Sequence, residues 1–215
     1  MRKHLFFGTF LLLGAVAGWA QEVQYKPNFE VALIGGYQFG GTMDETIKHE
    51  GADIAGEALG INGSEFAGVI FDYRLGPKLL LEFSFDRQNT TLNYSDASNT
   101  GFAKVSDMHV SYYQAGLIYN WGTGSVQPFV GGTLGFASMV PTEGVDSEAR
   151  FAAGPLFGLK TFSSKHFAFR FQTRLMVTNL RIGEYFANAA GESYSHTLNT
   201  YMTQLHFSLG LVVGL

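Results

Sequence analysis

Large apolar side chains occupy every second position over several long stretches of this sequence, with small or polar residues between them. In FEVALIGGYQFGG (29–41), Phe29, Val31, Leu33, Tyr37 and Phe39 share one face, while Glu30, Ala32, Gly36, Gln38 and Gly40 fall mostly on the other. KLLLEFSFDRQ (78–88) sets Leu79, Leu81, Phe83 and Phe85 against Leu80, Glu82, Ser84 and Asp86. YMTQLHFSLGLVVGL (201–215) sets Leu205, Phe207, Leu209, Leu211, Val213 and Leu215 against Gln204, His206, Ser208, Gly210 and Gly214. A side-chain period of two belongs to strands with two unlike faces. The chain is therefore expected to be all-β.

Weaker alternation at 65–73, 110–121, 127–137, 151–162 and 167–181 brings the number of expected strands to eight. Pro128, which has no amide proton to give a ladder, marks the beginning of the fifth or a bulge in it. Three connections are tight and carry turn chemistry: RLGP (74–77), GTGS (122–125) and SSKH (163–166). Four are long and polar, at about residues 42–62, 89–104, 138–150 and 182–199, and the first has room for a short helix in MDETIKHEGADIAGEALG. Short turns at one end and long loops at the other describe an up-and-down meander.

Alternation alone does not say which face is outside. A water-facing exterior is normally rich in Lys and Glu, but here the less apolar face is largely Gly, Ala, Ser and Gln, and only 15% of the chain is charged. Small residues suit a narrow lumen filled by side chains. On the apolar face, Tyr73, Tyr119, Trp121 and Phe167 lie near the short turns, and Tyr37, Phe39, Phe136, Phe151 and Tyr201 near the long loops, like two interfacial girdles. In FAFRFQTRL (167–175), Arg170 and Arg174 oppose the phenylalanines. A lipid-facing Arg near the bilayer midplane costs about 2–4 kcal/mol, so both are expected to point inward. The fold expected for residues 29–215 is an eight-stranded antiparallel up-and-down transmembrane β-barrel.

Arg2, Lys3 and His4 precede an apolar run from Leu5 to Ala17 and the small-residue stretch AGWA, which reads as a signal peptide over 1–20. Residues 21–28 then form a short periplasmic segment. Without 1–20, twelve basic residues face eighteen acidic ones, a balance that disfavours a nucleic-acid partner. Cysteine is absent, which excludes disulfides and thiolate metal sites. No linker or charge block divides the chain, so one domain is expected, and no cofactor motif stands in it.

YYQAGLIYNWGTGSVQPFVGGTLGFA (112–137), LFGLKTFSSKHFAFRFQTRL (156–175) and the C-terminal SLGLVVGL (208–215) make the chain resemble the eight-stranded outer-membrane β-barrel proteins of Gram-negative-type bacteria, the group of the outer membrane protein A barrel and its small porin-like relatives. Ser208, Gly210, Val213 and Leu215 match that group's assembly signal, with Leu where many members end in Phe. The resemblance implies an integral outer-membrane protein with both ends periplasmic. Its expected partners are outer-membrane lipid and lipopolysaccharide, the barrel-assembly machinery, and an extracellular ligand met through the long loops. A structural or surface-interaction role is expected first, then a narrow channel for small or hydrophobic solutes, and more distantly a lipid A-modifying hydrolase, because similar barrels carry unrelated functions.

In strand order the third and seventh strands lie opposite one another. Glu82 and Asp86 follow Pro77 by five and nine residues, and Arg170 and Arg174 follow His166 by four and eight, so the four are expected at comparable heights as a lumenal ion-pair ladder. Gln172 and His206 would satisfy leftover hydrogen bonds, and Asp72 would pair with Lys160 nearer the periplasmic end. Three other groupings carry weaker chemistry. Asp107, His109 and Ser111 share a strand face, but residues i and i+4 on a strand stand about 13 Å apart, too far for a bonded triad. His49, Glu50 and Asp53 have no compelling metal-ligand spacing. The Asn-x-Ser/Thr matches at Asn62, Asn89 and Asn93 read as chance.

Overall fold

The computed structural model describes residues 27–49, 52–95, 103–122, 124–142, 147–164, 166–182 and 198–215. The proposed signal peptide and most of 21–28 lie outside them. Among the described residues ten strands follow in order: β1 (Phe29–Phe39), β2 (Thr42–His49), β3 (Ala52–Ile61), β4 (Ser64–Arg74), β5 (Leu79–Ser95), β6 (Ala103–Asn120), β7 (Val126–Pro141), β8 (Glu148–Phe162), β9 (Phe167–Ile182) and β10 (Leu198–Gly214). Eight of them, β1 and β4 to β10, form a closed antiparallel ring in which β1 pairs with both β4 and β10 and the β5–β6 ladder completes the circuit.

The first long connection contains a hairpin, not a helix. β2 and β3 pair with each other, and the end of β3 pairs with the upper part of β5. β-branched residues at Thr42, Thr46, Ile47, Ile54 and Ile61 favour extended backbone, and the two arms carry on from β1 and into β4 across short breaks. The strands also run further into the expected loops than the alternation indicated: β5 reaches Ser95, β6 starts at Ala103, β7 reaches Pro141 and β8 starts at Glu148. These outer segments lack the lipid-type face that made the rest legible. Pro128 is the third residue of β7 and faces outward.

The ring has a measurable stagger. Val31, Phe71, Phe83, Ala115, Leu134, Ala153, Val177 and Thr203 are successive cross-strand partners, and Thr203 stands two residues beyond Leu205, the partner of Phe39. The circuit thus returns to β1 at the level of Gly41, ten residues above its start. Eight strands with that shear tilt by about 40°, so each residue climbs roughly 2.5 Å along the barrel axis.

The outer wall is apolar all round. Leu33, Phe83, Leu117, Leu134, Phe157, Phe171 and Leu211 are exposed on it. From Phe29 to Phe39 on β1 the belt is about 25 Å tall, the height that fits the apolar core of an outer membrane. Phe29 packs on Tyr73 and Tyr119 on Trp121 at the short-turn end, while Tyr37, Phe39 and Phe207 cluster toward the other. Water would solvate this exterior poorly and hydrocarbon solvates it well.

Candidate functional site

Inside the barrel the alternate residues meet, and many are charged. Arg170 on β9 reaches across the lumen to β4 and β5. Its Nη1 donates to Asp72 Oδ2 at 2.8 Å, its Nη2 donates to Glu82 Oε2, and its Nε donates to Gln172 Oε1 at 2.8 Å. Arg174, two inward positions higher, donates from Nη2 to Glu82 Oε1 at 2.7 Å and from Nη1 to Ser84 Oγ at 3.1 Å. Asp86 lies 3.8 Å from Arg174 Nη1, and His206 Nδ1 stands 4.0 Å from Asp86. At the lower end Lys160 on β8 donates to Asp72 Oδ2 at 2.6 Å and to Glu30 Oε2 at 2.5 Å, and Arg74 Nη2 reaches Glu30 Oε1 at 3.3 Å.

Four carboxylates, Glu30, Asp72, Glu82 and Asp86, thus face four cations, Arg74, Lys160, Arg170 and Arg174, in a network with no net charge. All but Arg74 are buried. The phenyl ring of Phe129 adds a face for two of the cations, 4.7 Å from the Arg170 guanidinium carbon and 5.9 Å from Lys160 Nζ. Glycine makes room for these long side chains: Gly116 is cross-strand from Glu82, Gly210 from Arg170 and Gly158 from Gln172. A Cβ at Gly158 would run into the Phe129 ring.

The structure brings together all six charged residues that the alternation put in the lumen, Glu82, Asp86, Arg170, Arg174, Asp72 and Lys160. The pairing pattern differs from a simple ladder. Asp72 is shared between Lys160 and Arg170, and Asp86 is the loosest member. Glu30 and Arg74 complete the lower end. Glu30 was legible on the inner face of the first strand, whereas Arg74 sat in the expected RLGP turn and joins the network because β4 extends through it.

Above the charges the lumen changes character. Tyr112 donates to Gln204 Oε1, and its ring meets His206 at 5.3 Å. Higher still, Met108, Met139, Met176 and Met202 pack with Ile61, Leu92, Val110 and Tyr112 in one apolar cluster.

The remaining candidates separate. Asp107 pairs with Lys104 at 2.8 Å, His109 Nδ1 is 2.8 Å from Asn89 Oδ1, and Ser111 lies cross-strand from Arg87 and Ser138, so the three do not form a catalytic unit. The side chains of His49, Glu50 and Asp53 lie outside the described residues. Asn62 is engaged at the joint between β3 and β4. Ser208, Gly210 and Val213 lie in the last part of β10 and Leu215 directly follows it, with Val213 and Leu215 exposed and Gly210 inward.

Neither a family model nor a curated protein sequence matches the chain. Solved structures do. The crystal structure of the outer membrane protein OprG from Pseudomonas aeruginosa superposes with a TM-score of 0.63 at 15% identity, over 90% of this chain and 99% of that one. Neisserial surface protein A gives 0.55 at 14% identity, over 87% and 97%. The outer membrane protein AlkL in lipid bilayers gives 0.52 at 14% identity, over 91% and 95%. Ring closure, shear, apolar wall and these likenesses agree that the chain has the fold of the small eight-stranded outer-membrane β-barrels.

Proposed function

We propose that the chain spans the bacterial outer membrane as an integral barrel with both ends periplasmic. Its role is structural or a surface interaction made through the long loops, and its lumen is closed to free flow by side chains. The observation that carries this reading is the buried network itself, which crosses the lumen from β9 to β4 and β5 and is charge-balanced. A buried pair held by several hydrogen bonds resists separation, because parting it strands two charges in a low dielectric. The solved outer membrane and surface proteins of the same fold support the location. Purified wild-type chain in planar bilayers is expected to show no resolved conductance steps, while Glu82→Ala/Arg170→Ala, which removes the central brace, is expected to show them. Clear steps from the wild type would overturn the closed lumen.

A second reading, a narrow channel for small or hydrophobic solutes, is favoured by the methionine-rich upper lumen, whose flexible thioethers adapt to apolar guests. Under it, liposomes carrying the wild type admit uncharged solutes while ionic conductance stays silent.

A further inference from the structure

One cation of the outer wall takes no part in the lumenal network. Arg87 on β5 is exposed on the same face as Phe83 and Phe85, and among the described residues it has no ionic or hydrogen-bonded partner. It pairs through Ala67 with Gly35, and two strand steps of shear lift it to about the level of Tyr37, roughly 20 Å above Phe29 and near the top of the belt. A guanidinium at that height sits where hydrocarbon gives way to headgroups.

Two of its neighbours carry donors. Ser111 is its cross-strand partner on β6. One outward step higher, Asn89 stands cross-strand from His109, with the His109 Nδ1 to Asn89 Oδ1 contact at 2.8 Å. An amide oxygen can only accept, so Nδ1 donates, and the Asn89 NH2 is left to turn outward. The guanidinium, the Ser111 hydroxyl and the Asn89 amide therefore share a patch about 5 Å across and 7 Å along the strands. One outward step back along β5 and β6 an apolar shelf begins and runs round to β7: Phe85 and Tyr113 pack with ring centroids 5.1 Å apart, and Phe136, cross-strand from Tyr113 and at about the height of Arg87, is exposed. Glu65 on β4 is a diagonal neighbour of Arg87 but forms no ion pair with it.

We propose that Arg87, Ser111 and Asn89 form a binding site on the outer wall for the phosphate of an anionic membrane amphiphile, whose acyl chains lie on the Phe85–Tyr113–Phe136 shelf. The polar cap over an apolar shelf matches an amphiphile, and a guanidinium flanked by neutral donors matches phosphate, with charge-assisted hydrogen bonds supplying the affinity. The proposal rests on the membrane-spanning reading. Failure of that reading would show first, as a chain that does not enter lipid nanodiscs.

The test uses the full chain in nanodiscs of neutral lipid doped with bisphosphorylated lipid A, with bound lipid A counted by native mass spectrometry. The wild type is expected to retain it. Arg87→Gln is expected to retain at least about fivefold less, and Arg87→Lys an intermediate amount. Ser111→Ala/Asn89→Ala, which leaves the cation in place, is expected to lose part of the retention and guards against a folding defect in the first variant. Dephosphorylated lipid A is expected to bind as weakly to the wild type as phosphorylated lipid A binds to Arg87→Gln. Inorganic phosphate at millimolar concentration is expected not to displace the lipid; displacement would show a free-phosphate site and overturn the lipid assignment. Equal retention by wild type and Arg87→Gln, or of both lipid forms by the wild type, would overturn the site.

Discussion

Arg170 concentrates the physics of the lumen in one side chain. It holds Asp72 and Glu82 apart while lying over Phe129, so truncating it leaves two carboxylates buried with one cation fewer. Breaking a buried pair from one side costs about 3–5 kcal/mol. Arg170→Met should lower the temperature of the gel-mobility shift on heating, and adding Asp72→Asn, which restores the charge balance while Lys160 keeps Glu30 and Arg174 keeps Glu82, should recover much of the loss. Equal shift temperatures for wild type, single and double variants would show that the network does not brace the barrel. Inward direction was legible for Arg170 because its sequence neighbours are Phe169 and Phe171. Its sharing of two acids was not legible, because which carboxylates lie within reach depends on lumen width and on the space left by Gly210 and Gly158.

At the scale of elements, the joint between wall and hairpin is the part that periodicity could not supply. β1 gives way to β2 at Gly40–Gly41, and β3 to β4 at Asn62–Gly63, with Ile61 N donating to Gly41 O at 2.9 Å across the break. At Gly63 a side chain would press on Gln38 O and the Tyr37 hydroxyl, each at 3.0 Å, so glycine permits the close approach. Asn62 ties the joint to β5: its Nδ2 donates to Thr91 Oγ1 at 2.6 Å, its Oδ1 accepts from Asn93 at 2.7 Å, and its carbonyl accepts from Thr90 at 2.6 Å. Asn62→Ala removes the two side-chain bonds, worth about 1 kcal/mol each. Limited proteolysis should cut within 42–61 several times faster in this variant, with the barrel's heat-induced gel shift unchanged. An unaltered cleavage rate would show that the β3–β5 pairing alone holds the hairpin. The opposite side of the mouth is built differently. The β1–β10 ladder stops at Phe39–Leu205 and the β8–β9 ladder at Ala152–Thr178, while β9 and β10 continue pairing to Ile182–Leu198 as a two-stranded ribbon.

At the scale of the whole molecule, the outer belt sets the environment the fold requires. Phe157 is 61% exposed near mid-height, so Phe157→Arg should cost about 2–4 kcal/mol in a bilayer, whereas Phe29→Arg at the edge should cost about 0–1 kcal/mol. Refolding equilibria into lipid vesicles measure both; equal, small costs would mean that the belt is not lipid-facing. By itself the sequence determined the strand class, the meander and the division of each strand into an outward and an inward face, because a period of two is local and one-residue slippage would invert every side chain. Only the tertiary structure decided the ten-residue shear, the hairpin above the first strands and the partners of each lumenal charge. Those depend on how eight tilted strands close on one another, and closure brings together residues such as Glu30 and Lys160, separated by 130 positions in the chain, that no local pattern relates.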